Sequence, residues 1–128
     1  MAPKPIPFDF ILEYLFPLDL TVKSMFGMKA IYLEDKILLM LRLAEKNPQA
    51  NGIWVAVAEG QRENLKKEIP ALHTVSGYEK KASTTEWQLL RPTDDDFEEG
   101  AIKICELIKK NDSRIGRVPK KQIRKKKS

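Results

Sequence analysis

A two-layer α+β domain is the fold class that this chain of 128 residues predicts. The expected form is an antiparallel sheet of about five to six strands with three helices on one face. Three observations predict it. Apolar runs between Leu20 and Leu43 follow one another across short polar breaks, as strands joined by tight turns do. Ile53 to Ala58 is bulky and β-branched enough to sit near the sheet centre. Segments with helical spacing stand at both ends of this strand-rich region.

Met1 to Pro7 alternates proline with other residues and reads as an extended lead-in. Phe8, Ile11, Leu12 and Leu15 then repeat at helical spacing until Pro17 stops the helix. Thr21 to Phe26 is strand-like and Gly27 breaks it. Lys29 to Leu33 and Lys36 to Leu43 flank Glu34-Asp35, which predicts a hairpin whose turn lacks the usual glycine. Glu45 to Gly52 has loop composition. After the strand at Ile53, Gln61 to Ile69 is polar with Leu65 and Ile69 four apart, a helix with one apolar face ended by Pro70. Leu72 to Val75 and Glu86 to Leu90 predict two more strands, joined by the polar stretch Ser76 to Thr85. In the last helix, Thr93 is the expected N-cap, with Asp94, Asp95 and Asp96 complementing the helix dipole. Phe97, Ala101, Ile104 and Ile108 form its apolar stripe, and Asn111 is the expected stop. The predicted order is α-β-β-β-β-α-β-β-α, with no internal repeat.

Composition narrows the function classes. Hydrophobic residues make up 42% of the chain and charged residues 32%, which suits a folded domain rather than a disordered one. The single Cys105 rules out an internal disulfide and a multi-cysteine metal site, and points to a cytoplasmic protein. Prolines and acids interrupt the apolar residues before Leu20, so neither a secretory signal nor a membrane insertion segment is expected. No phosphate loop, dinucleotide fingerprint, nucleophile elbow or H-E-x-x-H motif occurs, so no catalytic residue is assigned, no cofactor or metal is expected, and no enzyme is expected.

Lys23-Ser24-Met25-Phe26-Gly27, then Ile31-Tyr32, Asp35-Lys36-Ile37 and Leu38 to Leu41, resembles the opening hairpin of the TfoX N-terminal domain family. The same run resembles the YjbR/MmcQ-like proteins. Gly77-Tyr78-Glu79-Lys80-Lys81 and Glu86-Trp87-Gln88-Leu89-Leu90 tilt the resemblance toward YjbR/MmcQ over roughly Phe8 to Asn111. Ile53-Trp54-Val55-Ala56-Val57 departs from the TfoX-like pattern. The resemblance implies a sheet topology similar to that of type III secretion chaperones and no established enzyme chemistry. It also implies a DNA-binding label by analogy, which a fold alone does not carry.

Each candidate site has a plain structural alternative. Met25-Phe26-Gly27-Met28 suggests the lip of a groove, but packing with a glycine turn accounts for it. His73 is the only histidine and has no partner at a recognisable spacing. Cys105 lies mid-helix and reads as a small buried hydrophobe. Asp94, Asp95, Asp96, Glu98 and Glu99 could ligate a divalent cation, although helix capping explains them. Trp54 belongs to the core. Trp87 and Tyr78, near Lys80, Lys81 and Arg91, are better placed to stack on bases. A small enzyme site, if one existed, would be sought near His73, Tyr78 and Glu86.

Charge is the most distinctive feature. The last fifteen residues carry eight Lys or Arg and no acid, while the first 113 carry fifteen basic and eighteen acidic residues. The expected division is a domain over residues 1–113 and a flexible basic tail over 114–128. Arg114, Arg117, Lys120, Lys121, Arg124, Lys125, Lys126 and Lys127 are candidate phosphate contacts, with Lys80 and Lys81 as additional ones. The expected function is a non-enzymatic module of YjbR/MmcQ type that binds DNA or RNA through this tail. The alternative is a protein-interaction or chaperone-like module acting as a homodimer.

Overall fold

The computed structural model describes residues 6–25, 27–74 and 86–118. These residues form α1 (Phe10–Leu15), β1 (Leu20–Met25), β2 (Met28–Leu33), β3 (Lys36–Arg42), β4 (Gly52–Val57), α2 (Arg62–Glu68), β5 (His73–Thr74), β6 (Glu86–Leu90) and α3 (Phe97–Lys109). The element order is the predicted one. The strands build one antiparallel sheet in the order β1-β2-β3-β4-β6-β5.

Local chemistry explains the elements. Leu33 pairs with Lys36, so Glu34 and Asp35 form a two-residue loop, and Glu34 takes the left-handed φ of 58° that glycine would normally supply. Arg42 at the end of β3 organises the next loop. Its guanidinium donates to the carbonyls of Lys46 and Asn47 and to Asn51 Oδ1. The Asn51 side chain in turn donates to the Ala44 carbonyl and accepts from the Ala44 N–H, much as a strand neighbour would.

All three helices bury their apolar faces against the same side of the sheet. Ile11 and Leu15 of α1, Leu65 of α2 with Ile69 beyond its end, and Ala101, Ile104, Cys105, Leu107 and Ile108 of α3 join Ile53, Val55 and Val57 of β4 in one core. The opposite side carries a second cluster built on Tyr32, Met40, Trp54 and Leu89. Strand β4 is therefore buried on both faces, which is why its sequence is a continuous apolar run rather than an alternating one.

A β-bulge shapes the middle of the sheet. Ile31 pairs with Leu39 and Tyr32 with Ile37, which leaves Leu38 as the extra residue. Leu38 and Leu39 consequently both face the helix-side core, while Ile37 and Met40 face the other. The pairing of β3 with β4 ends at Leu39 and Val55, beside the bulge.

The space so opened is filled by residues 114–118, and here the predicted domain boundary is corrected. Ile115 bridges Val57 and Arg117 bridges Ile37, so this segment is wedged between the parted ends of β3 and β4. Four backbone hydrogen bonds hold it: Arg114 O to Ala58 N, Gly116 N to Ala56 O, and a reciprocal pair between Arg117 and Ile37. The Ile115 side chain is buried in the helix-side core. The folded body thus continues to Val118, and residues 119–128 lie outside the described residues.

The start of α3 is also corrected. The helix begins at Phe97 after Asp96, whose side chain makes no cap bond, so Thr93 is not the N-cap. Arg91 to Asp94 and Asp94 to Phe97 are successive turns instead. Glu98 and Glu99 supply the first-turn negative charge. The helix stops as expected: Asn111 adopts a left-handed φ of 63°. Asn111 N donates to Ile108 O and Asp112 N to Leu107 O, a Schellman turn that sends the chain back to the sheet.

Candidate functional site

Of the eight tail cations, the structure describes Arg114 and Arg117; both belong to the folded body, and Arg114 is paired with acids. Arg114 forms a bidentate pair with Asp112, Nε and Nη2 donating at 2.9 and 2.7 Å, and Nη2 also reaches Glu68 Oε1 at 2.7 Å. The backbone N–H of Arg114 adds a third bond to the Asp112 carboxylate. Arg117 is a rung of the wedge, and its Nη1 donates to the Val57 carbonyl. Lys120, Lys121, Arg124, Lys125, Lys126, Lys127, Lys80 and Lys81 lie outside the described residues.

The Arg114 hydrogen bonds hold the Asp112 carboxyl at about 2, against an ordinary 3.8. A carboxyl depressed on folding stabilises the fold above its unfolded value, and that stabilisation is lost as pH falls through the folded one. The pair is partly solvated, so its worth is about 1 kcal/mol. Asp112→Asn should therefore cost about 1 kcal/mol at neutral pH in urea unfolding. The difference from the parent should shrink between about pH 4 and pH 2. A penalty independent of pH would show that the pair is not the cause.

A second feature appears between α2 and β6. With Leu65 turned into the core, α2 presents Arg62, Glu63, Lys66 and Lys67 to a cleft of about 400 Å³ that Gln88 of β6 also lines. Lys66 Nζ donates to the carbonyls of Pro70 and Leu72, which fixes the segment after α2. Among the described residues, Arg62 and Lys67 form no ion pair. Gln88 is fully buried, and neither polar atom of its amide has a hydrogen-bond partner. Such an amide carries an uncompensated desolvation cost. Gln88→Leu should raise stability by about 1–2 kcal/mol in thermal or urea unfolding. A destabilised variant would mean that the amide is satisfied in solution.

Comparison with family models, with curated proteins and with solved structures finds no match for this chain.

The remaining candidates divide clearly. His73 does have a partner: Nε2 lies 2.6 Å from Asp94 Oδ2, a pair that ties β5 to the turn before α3. No spacing rule could reveal it, because the two residues are 21 apart in the chain. It also occupies the acid expected to serve the helix dipole. The described residues contain no cluster of three or more His, Cys, Asp or Glu able to hold a metal ion. Cys105 is buried, and burial pushes its thiol up to about 12, so it stays protonated at neutral pH. Trp54 is core, with its indole N–H donating to the Ala50 carbonyl. Trp87 packs edge-on against Trp54 at 6.1 Å and is half-buried, a poorer stacking platform than the sequence suggests. Tyr78 lies outside the described residues. Met25 and Met28 pack against the second cluster and Gly27 makes the turn between them; Phe26 is not described. The one signal that could have exposed Gln88 was strand alternation: it shares a face with Leu90, so a polar residue had to point toward the helix layer.

No helix of the described residues is long and apolar enough to cross a membrane.

Proposed function

We propose that the chain is a non-enzymatic binding module of YjbR/MmcQ type that holds DNA or RNA through the basic run beyond Val118. What carries the reading is one observation. Six of the eight residues from Lys120 to Lys127 are Lys or Arg, none is acidic, and the run follows directly on a segment anchored in the sheet. Such a run contacts phosphates without reading sequence. Arg114 is neutralised by Asp112 and Glu68 and Arg117 lies in the sheet-anchored segment, so the reading rests on the six cations beyond Val118.

The charge count sets the test. Six phosphate contacts on duplex DNA give a log-log salt slope of about −5, where eight would give about −7. Fluorescence anisotropy with a short duplex should return the smaller slope for the full chain and almost no binding for a chain ending at Val118. Binding that survives this truncation with its salt dependence intact would defeat the proposal. The protein-interaction reading is supported by β1, an edge strand paired only with β2 among the described residues, with Thr21 to Ser24 exposed. A stable dimer without nucleic-acid affinity at moderate salt would favour it.

A further inference from the structure

We infer that β1 is a docking edge for a second copy of this chain, the two β1 strands pairing antiparallel about a two-fold axis at Val22. The inference deepens the protein-interaction reading above by naming its partner, and it does not depend on the basic run beyond Val118. Sheet edges are ordinarily blunted by short strands, bulges, prolines or outward lysines. Among the described residues the far edge follows this rule, since β5 is two residues long. The β1 edge does not. It is six residues long, keeps a regular register with β2 from Leu20 to Met25, and contains no proline. Thr21 to Ser24 are exposed. Its lysine does not guard the edge either: Lys23 Nζ lies 4.9 Å from the centre of the Tyr32 ring, drawn back over the neighbouring strand β2.

Strand alternation and charge select the partner and the register. Leu20 packs against the helix-side core and Met25 against the opposite cluster, so Val22 faces the helix side and Lys23 the other. A two-fold axis that joins two such edges stands perpendicular to the sheet. It keeps both helix layers on one side and sets like faces opposite each other, so the axis passes through a residue paired with its own copy. Only Val22 or Lys23 at the axis keeps most of the strand paired. Lys23 there would set two like charges against each other. Val22 there joins two exposed apolar side chains and sets Thr21 against the partner's Lys23, so that no lysine meets another. Apolar surface continues into the helix layer just ahead of β1, where Tyr14 and Phe16 are 41% and 73% exposed. The edge is thus complementary to itself, with an apolar residue at its centre.

Sedimentation of the full chain at high salt, where nucleic acid does not bridge two chains, tests the assignment. At micromolar concentration the parent should sediment with twice the mass of one chain. Val22→Lys and Val22→Glu each bring like charges together on the axis, and each should be monomeric. Mixed in equal amounts, the two variants should form a dimer again, because opposite charges then meet at the axis. Misfolded variants could not produce this rescue. A monomeric parent, which would leave the edge to an unrelated strand, would overturn the inference. So would a dimer that persists in either variant alone, or an equal mixture that stays monomeric. The basic run is intact in every variant, so duplex binding by the same proteins at low salt reports on the proposed function separately.

Discussion

Gly52→Ala is expected to destabilise the fold by about 3–5 kcal/mol, a loss large enough to threaten folding altogether. Gly52 opens β4 with a φ of 139°, a conformation that residues with a side chain rarely adopt. A Cβ built there would lie 2.0 Å from the backbone carbonyl oxygen of Leu90 in β6 and 3.1 Å from Leu89 Cδ1. The obstacle is backbone rather than the end of a flexible side chain, so relief requires the β4–β6 ladder to move. That ladder is central to the sheet, with Ile53 opposite Leu90. The urea midpoint of the variant checks this directly. A midpoint within experimental error of the parent would mean that the strands do not approach so closely.

The second large effect concerns where the folded body ends. A chain cut after Asn111 should lose more than about 4 kcal/mol or fail to fold, whereas one cut after Val118 should keep its stability. The shorter chain loses the buried Ile115 and the four backbone bonds that fill the gap between β3 and β4. Truncating Ile115 alone to alanine accounts for about 2–5 kcal/mol of this. The lost wedge would also leave the inward N–H and C=O groups of Ile37, Ala56 and Ala58 without partners. Gly116 fits so closely that an added Cβ would meet the Lys36 side chain at 2.6 Å. Circular dichroism melts of the two truncated chains decide the matter. If both melt like the full protein, the segment contributes little. The same comparison bears on binding, because removing residues 112–128 would confound lost cations with a lost fold.

The backbone of the fold was legible because its signals are local. Apolar runs separated by short breaks place β1 to β4, the Leu65 and Ile69 spacing places α2, and the stripe from Phe97 to Ile108 places α3. The burial of Trp54 and Cys105 follows from their neighbours in the chain. Local signals failed where a residue's partner is remote. Asp94 looks like a helix acid until His73 is brought to it across the β5 edge. Arg114 looks like the first cation of a tail until Glu68, 46 residues earlier, closes on it together with Asp112.

The amino-acid order alone determined the class of fold, the succession of its elements, the stop of α3 at Asn111 and the concentration of positive charge beyond Val118. Only the tertiary structure decided that the body extends to Val118, that Arg114 is neutralised, and that Gln88 stands unpartnered beside a basic cleft. The reason is physical. Periodicity reports which face of an element is buried. A gap between two strands, a distant ion pair or an unmet hydrogen bond exists only once separate elements have been packed together.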